Sequence, residues 1–154
     1  MLKCRKGVGL AFLVAWAGMT LSTSAAAQSI VPEPVQRPNP DDLKHRAVLC
    51  SWTIYLTAQA AGERCFPGQD DAFKADLNRG IKRIEDFIKR NGHVDQSYVS
   101  RWESQAVAES KAPGFCSSEA GKFYAAERAR SATLQKDIDD LLSIPRTPVM
   151  NPCL

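Results

Sequence analysis

Fifteen consecutive residues, Ala47 to Ala61 (AVLCSWTIYLTAQAA), carry no formal charge in a chain that is otherwise 24% charged. Val48, Leu49, Trp52, Ile54, Tyr55 and Leu56 supply large apolar surface, and Ser51, Thr53, Thr57 and Gln59 are neutral enough to sit at a core. Leu43, Ala47, Cys50, Ile54, Ala58 and Ala61 recur at helical spacing, and the bulky residues at 48, 49, 52, 55 and 56 widen the apolar surface almost all the way round. Such a helix belongs in the middle of a bundle. It is too short and too polar in its uncharged part to be a membrane span. Asn39 as cap, Pro40 in the first turn and Asp41 and Asp42 near the positive end of the helix dipole set its expected start, and Gly62 its expected stop.

What precedes this run fixes the compartment expected for it. Lys3, Arg5 and Lys6 form a basic region, Val8 to Leu21 is apolar but interrupted by Gly18 and Thr20, and Ala25-Ala26-Ala27 precedes Gln28, the three-part pattern of a cleaved secretory leader over residues 1–27. Residues 28–40 (QSIVPEPVQRPNP) hold prolines at 32, 34, 38 and 40 and read as a flexible lead-in to a single helical domain over 41–154. Removing the leader's three basic residues from a total of 20 leaves 17 Lys and Arg against 17 Asp and Glu. A neutral mature chain gives no support to nucleic-acid binding, which calls for a clustered basic surface.

The leader also takes one of five cysteines, leaving Cys50, Cys65, Cys116 and Cys153. An even set in an oxidising compartment reads as two disulfides, and the spacings lack the close CxxC pairs of structural zinc sites. Sequence permits three pairings. In an up-and-down bundle Cys65 follows the first helix and Cys116 precedes the fourth, at the same end. A tail from Ser143 reaches about 30 Å by Cys153 at roughly 3.3 Å per residue, ample to meet Cys50. The expected pairs are therefore Cys65 with Cys116 and Cys50 with Cys153, each worth about 4 kcal/mol on the chain-entropy estimate.

The remaining helices follow from caps and stripes. Asp70 or Asp71 is the expected cap of a helix running to Asn91-Gly92, with Phe73, Leu77, Ile81, Ile84 and Ile88 inward and Gly80 allowing a close neighbour. Arg79, Lys82, Arg83, Glu85, Asp86, Lys89 and Arg90 are assigned to its solvated face, with Glu85 to Lys89 and Asp86 to Arg90 as ion pairs. Asp95 caps a third helix, with Val94 and Val99 as its hydrophobic staple, ended by Ala112-Pro113-Gly114. Ser117 or Ser118 opens a further helical region with a break near 128–132, and a last helix buries Leu134, Ile138, Leu141 and Leu142. Pro145, Pro148 and Pro152 stop helix thereafter. The fold class is all-α, a small disulfide-stapled bundle of four to five helices with an extended Pro-rich C-terminal tail.

Catalytic constellations are missing from the sequence: it contains no Gly-rich phosphate loop, GxSxG elbow, HExxH or CxxCH. His45 and His93 sit beside helix ends and read as surface residues, so no cofactor and no metal is expected. The strongest candidate surface is the turn after the central helix. Glu63, Arg64, Phe66, Asp70 and Asp71 flank Cys65 there, an aromatic and an arginine on a stapled loop being the type of pair that anchors a partner. The expectation is an exported, periplasmic or secreted, non-enzymatic binding protein whose partner is another envelope or secreted protein. The alternative is a small hydrolase-like or metal-dependent enzyme using Glu63, Asp70 and Asp71.

Overall fold

The uncharged run becomes the axis of an all-helical bundle. The structure, a computed structural model, describes residues 40–153, so the expected leader and almost all of the Pro-rich lead-in lie outside the described residues. The helices are α1 (Pro40–His45), α2 (Val48–Cys65), α3 (Asp71–Gly92), α4 (Gln96–Ser110), α5 (Glu119–Ala129) and α6 (Leu134–Leu142), with single 3-10 turns at Phe115–Ser117 and Ser131–Thr133. Among the described residues there is no strand, and no helix is long and apolar enough to cross a membrane. Helix α2 packs against α3, α4 and α5, while α6 covers α3 and touches α1. Val48, Trp52, Ala58 and Ala61 of α2 are fully enclosed. Truncating Trp52 in such a setting removes about 3–5 kcal/mol.

The start of this helix differs from expectation, and the cause is a buried charge. The helix beginning at Pro40 ends at His45, Arg46 takes a left-handed backbone (φ 70), and α2 begins only after the extended Ala47. Asp42, expected to serve the positive end of the helix dipole, is 1% exposed and has a distant partner. Arg146, from the segment after α6, donates from Nε to Asp42 Oδ1 at 2.8 Å. The same guanidinium donates to the carbonyls of Leu141 at 2.9 Å, Ile144 at 3.2 Å and Arg46 at 2.8 Å, and lies 6.0 Å from the Phe87 ring centre. The break at Arg46 thus presents a carbonyl to a cation that also neutralises Asp42.

Helix α2 has no side-chain cap, and one of its orphan N–H groups is met from the far end of the chain: Leu49 donates to the Val149 carbonyl at 3.1 Å. Next to this bond Ala47, Cys50 and Val149 form a small second core, and Cys50 and Cys153 are bridged with Cα atoms 5.3 Å apart. The other bridge joins Cys65 to Cys116, Cα atoms 5.5 Å apart. Gly62 does not stop the helix, which continues to Cys65. A Cβ at Gly62 would come within 2.7 Å of the Tyr124 ring, so this glycine admits α5 against α2.

On α3 the inward stripe of Phe73, Leu77, Ile81, Ile84 and Ile88 is buried, joined by Phe87, and Gly80 lies directly beneath the Ile138 side chain of α6. One assignment to its solvated face is overturned: Glu85 is only 5% exposed. Residues 81, 84, 85 and 88 are the i, i+3, i+4 and i+7 set of one helix face, so the arrival of α4 encloses Glu85 with its apolar neighbours. Asp86 pairs with Lys82 at 3.0 Å and Lys89 at 3.1 Å, rather than with Arg90. Asp95 caps α4 by accepting from the backbone N–H of Ser97 and Tyr98, with Val99 fully buried below it, and Ser118 caps α5 through Ala120 N–H. The chain breaks between Ala129 and Leu134, after which Leu134, Ile138 and Leu141 are buried and Leu142 half-buried.

Candidate functional site

The turn around Cys65 divides into a locked half and an open half. Asp70 stands at the N-cap position of α3 but in a left-handed conformation (φ 58) that makes no side-chain cap, a correction to its expected role. Its carboxylate accepts instead from the Tyr124 hydroxyl at 3.0 Å and pairs with Arg128 Nε at 2.7 Å. These bonds from Arg128 and Tyr124 outweigh the opposing effect of burial and hold the Asp70 carboxyl below its ordinary range. Burial, with the bond to Asp70 second, pushes the Tyr124 phenol up to about 12. Phe66 is half-buried and stacked on Tyr124, ring centres 4.5 Å apart. Phe66 and Asp70 are therefore occupied in fastening α5 to the turn.

Glu63, Arg64 and Asp71 remain exposed. No group of three His, Cys, Asp or Glu side chains among the described residues is arranged to hold a metal ion. His45 Nδ1 lies 3.2 Å from the Asp140 carbonyl, and His93 closes α3 in a left-handed conformation on the surface.

Glu63 and Arg64 form one end of a groove between α2 and α4, about 610 Å³ in volume. Its apolar lining comes from Leu56 and Ala60 on α2 and Ala106 and Val107 on α4, with Glu103 and Lys111 along the α4 side. Val107 is 53% exposed, one of three large hydrophobic residues so placed among the described residues. The small side chains Ala60 and Ala106 leave the space between the two helices unfilled at this point, and the last turn of α2 beyond Gly62 extends the groove as far as Pro67.

Behind the groove, where α2, α3 and α4 meet, lies a pair of carboxylates. Glu85 of α3 and Glu103 of α4 are within interacting reach, and Glu85 Oε1 is buried with no hydrogen-bond partner. Burial first, and the Glu103 carboxylate second, push the Glu85 carboxyl up to about 7. Trp52 Nε1 is close enough to favour the charged form, but completes no hydrogen bond. Lys82, one turn earlier on α3, is turned toward Asp86. The seam therefore keeps an excess of negative charge that no described cation cancels by direct contact.

A second concavity, of about 180 Å³, lies beside the Cys50–Cys153 bridge and includes Arg46, Tyr55, Glu127 and Arg130. Sequence reading missed both carboxylate environments. Glu85 was signalled by its spacing from Ile81, Ile84 and Ile88, whereas Glu127 lies in a charged run that marked only a helix break.

No protein-family model, no curated protein and no solved structure matches the chain.

Proposed function

We propose that this is an exported, non-enzymatic binding protein of the periplasm or extracellular space. Its α2–α4 groove receives an apolar segment, carrying a lysine or arginine, of another envelope or secreted protein. The observation that carries the reading is the Glu85–Glu103 pair beside an open apolar groove. Two carboxylates brought together in a poorly hydrated seam repel, and a cationic side chain laid along the groove from outside relieves that repulsion while its apolar neighbours cover Val107 and Leu56. Export is supported by the leader-like N-terminal sequence and by the two cystine bridges, which persist in oxidising compartments.

A pair of helix-forming peptides tests the recognition chemistry: one with leucines at i, i+3 and i+7 and an arginine on the same face, the other with glutamine in place of that arginine. Amide shifts titrated with the arginine peptide are expected to move saturably at Leu56, Ala106 and Val107. The glutamine peptide should bind about tenfold more weakly, as should the arginine peptide to Glu103→Gln. Equal binding of both peptides, or shifts spread evenly over the surface, overturns the reading.

A further inference from the structure

The cleft beside the Cys50–Cys153 bridge combines features that the groove does not. Tyr55 is 3% exposed, yet its hydroxyl, which lines the cleft, makes no hydrogen bond with any described residue. Ser51, 8% exposed, also lines the cleft without a side-chain hydrogen bond among the described residues, and half-buried Glu127 makes neither a hydrogen bond nor an ion pair there. Three polar side chains with no partner among the described residues thus line a single concavity, a surface suited to a polar guest.

The charges are arranged with two signs. Arg46 donates one Nη to the Asp137 carbonyl at 3.1 Å, and Arg130 donates one to the Asp137 carboxylate at 2.7 Å. Each guanidinium carries five N–H donors, so both are held in place with donors to spare. Arg46 holds its position at a left-handed backbone (φ 70), a conformation costly for a residue with a side chain and found where surrounding structure imposes it. Glu127 stands within the field of both arginines but is paired to neither, and its burial raises the carboxyl. Burial followed by the Glu127 charge raises the Tyr55 phenol as well, keeping it a donor. At about 180 Å³ the cleft has room for several water-sized groups.

We propose that this cleft binds a small zwitterion of the amino-acid class, its carboxylate between Arg46 and Arg130 and its ammonium on Glu127, with the Ser51 and Tyr55 hydroxyls completing the hydrogen bonds. An anion alone leaves Glu127 unmet and adds a like charge beside it. A cation alone is repelled by the two guanidinium groups. A zwitterion with a one- or two-carbon spacer meets both.

The test is an amide-shift titration of the oxidised protein with L-alanine and, separately, with its two half-ligands, acetate and methylammonium. Alanine is expected to shift the amides of Ser51, Tyr55 and Glu127 saturably, with each half-ligand at least about tenfold weaker. Glu127→Gln should weaken alanine about tenfold while tightening acetate, and Arg130→Gln, on an exposed residue, should weaken alanine and acetate together. Tyr55→Phe should weaken alanine by a smaller factor. Acetate binding as tightly as alanine, with Glu127→Gln without effect, reduces the cleft to an anion site and overturns the proposal. No saturable shift from any of the three compounds overturns it too and leaves a hydrated cleft. The α2–α4 groove residues serve as the internal control, because alanine should leave Ala106 and Val107 unmoved whether or not the groove binds a partner.

Discussion

Asp42 and Glu85 are both withdrawn from solvent, 1% and 5% exposed, and the two regions that enclose them treat the charge in opposite ways. At the α1 end, Asp42 meets an opposite charge: its Oδ1 accepts from the Arg146 guanidinium, which also donates to three carbonyls, while its Oδ2 has no hydrogen-bond partner among the described residues. At the seam where α2, α3 and α4 meet, Glu85 meets a second carboxylate and an indole, and its Oε1 has no partner. A buried charge paired with its opposite fastens elements together, whereas one opposed by a like charge responds to its surroundings, to protons or to an incoming cation. The contrast separates a structural clasp from a surface available for function.

The clasp should give the largest effect. Arg146→Met strands Asp42 in a dry site and should cost about 3–5 kcal/mol, read as a shifted urea midpoint of the oxidised protein. The double variant Asp42→Asn with Arg146→Met should lose distinctly less than Arg146→Met alone, because the stranded charge has been removed along with its partner. If Arg146→Met costs under about 1 kcal/mol, the clasp behaves as a surface ion pair and the contrast collapses.

The seam should respond to pH instead. A free glutamate titrates near 4.3 and folded Glu85 at about 7, so the folded state holds the proton more tightly than the unfolded one. The contribution to stability is fully present below about pH 4 and is lost as pH rises through about 7, amounting to about 3–4 kcal/mol at most. Stability measured from pH 5 to pH 8 should fall, and Glu85→Gln, which mimics the neutral form, should flatten that fall and be the more stable protein at pH 8. A wild-type profile that rises across this window contradicts the assignment.

The fold was legible because its determinants are periodic or local. The inward stripe of α3, the Asp95 and Ser118 caps, and the break after Ala129 each depend on residues within one or two turns, and the all-helical bundle follows from them. The two cysteine pairs lie at disulfide distance for a topological reason, since Cys65 and Cys116 share one end of the bundle while the returning C-terminal segment passes Cys50. The partners of Asp42, Asp70 and Tyr124 were not legible. Asp42 pairs across 104 positions and Asp70 across 54, and a carboxylate at a helix start already has a sufficient local role that conceals a distant one. The acidic turn therefore looked like a site while Asp70 was being used to hold α5. Tyr55 and Ser51 were read as core because burial was legible and the direction of their hydroxyls was not.

The smallest effect is the most discriminating. Glu103→Gln keeps the size and hydrogen-bonding reach of the side chain while removing the charge that ranks second, behind burial, in raising Glu85. The Glu85 titration, followed by the carboxyl carbon shift, should move downward and still end above the ordinary glutamate range, since Trp52 and the apolar face of α3 continue to exclude water. A fall to the ordinary range would mean that charge alone raises Glu85 and that the seam is wet, removing the low-dielectric setting that makes a partner's cation valuable there. No movement would mean that the two carboxylates do not sense each other, and the groove would then have no electrostatic reason to prefer arginine over glutamine. An intermediate shift, with the thermal transition of the variant rising slightly at pH 8, is the outcome that keeps burial and like-charge repulsion as joint causes. It would also leave the seam as a place where an external cation substitutes for a proton.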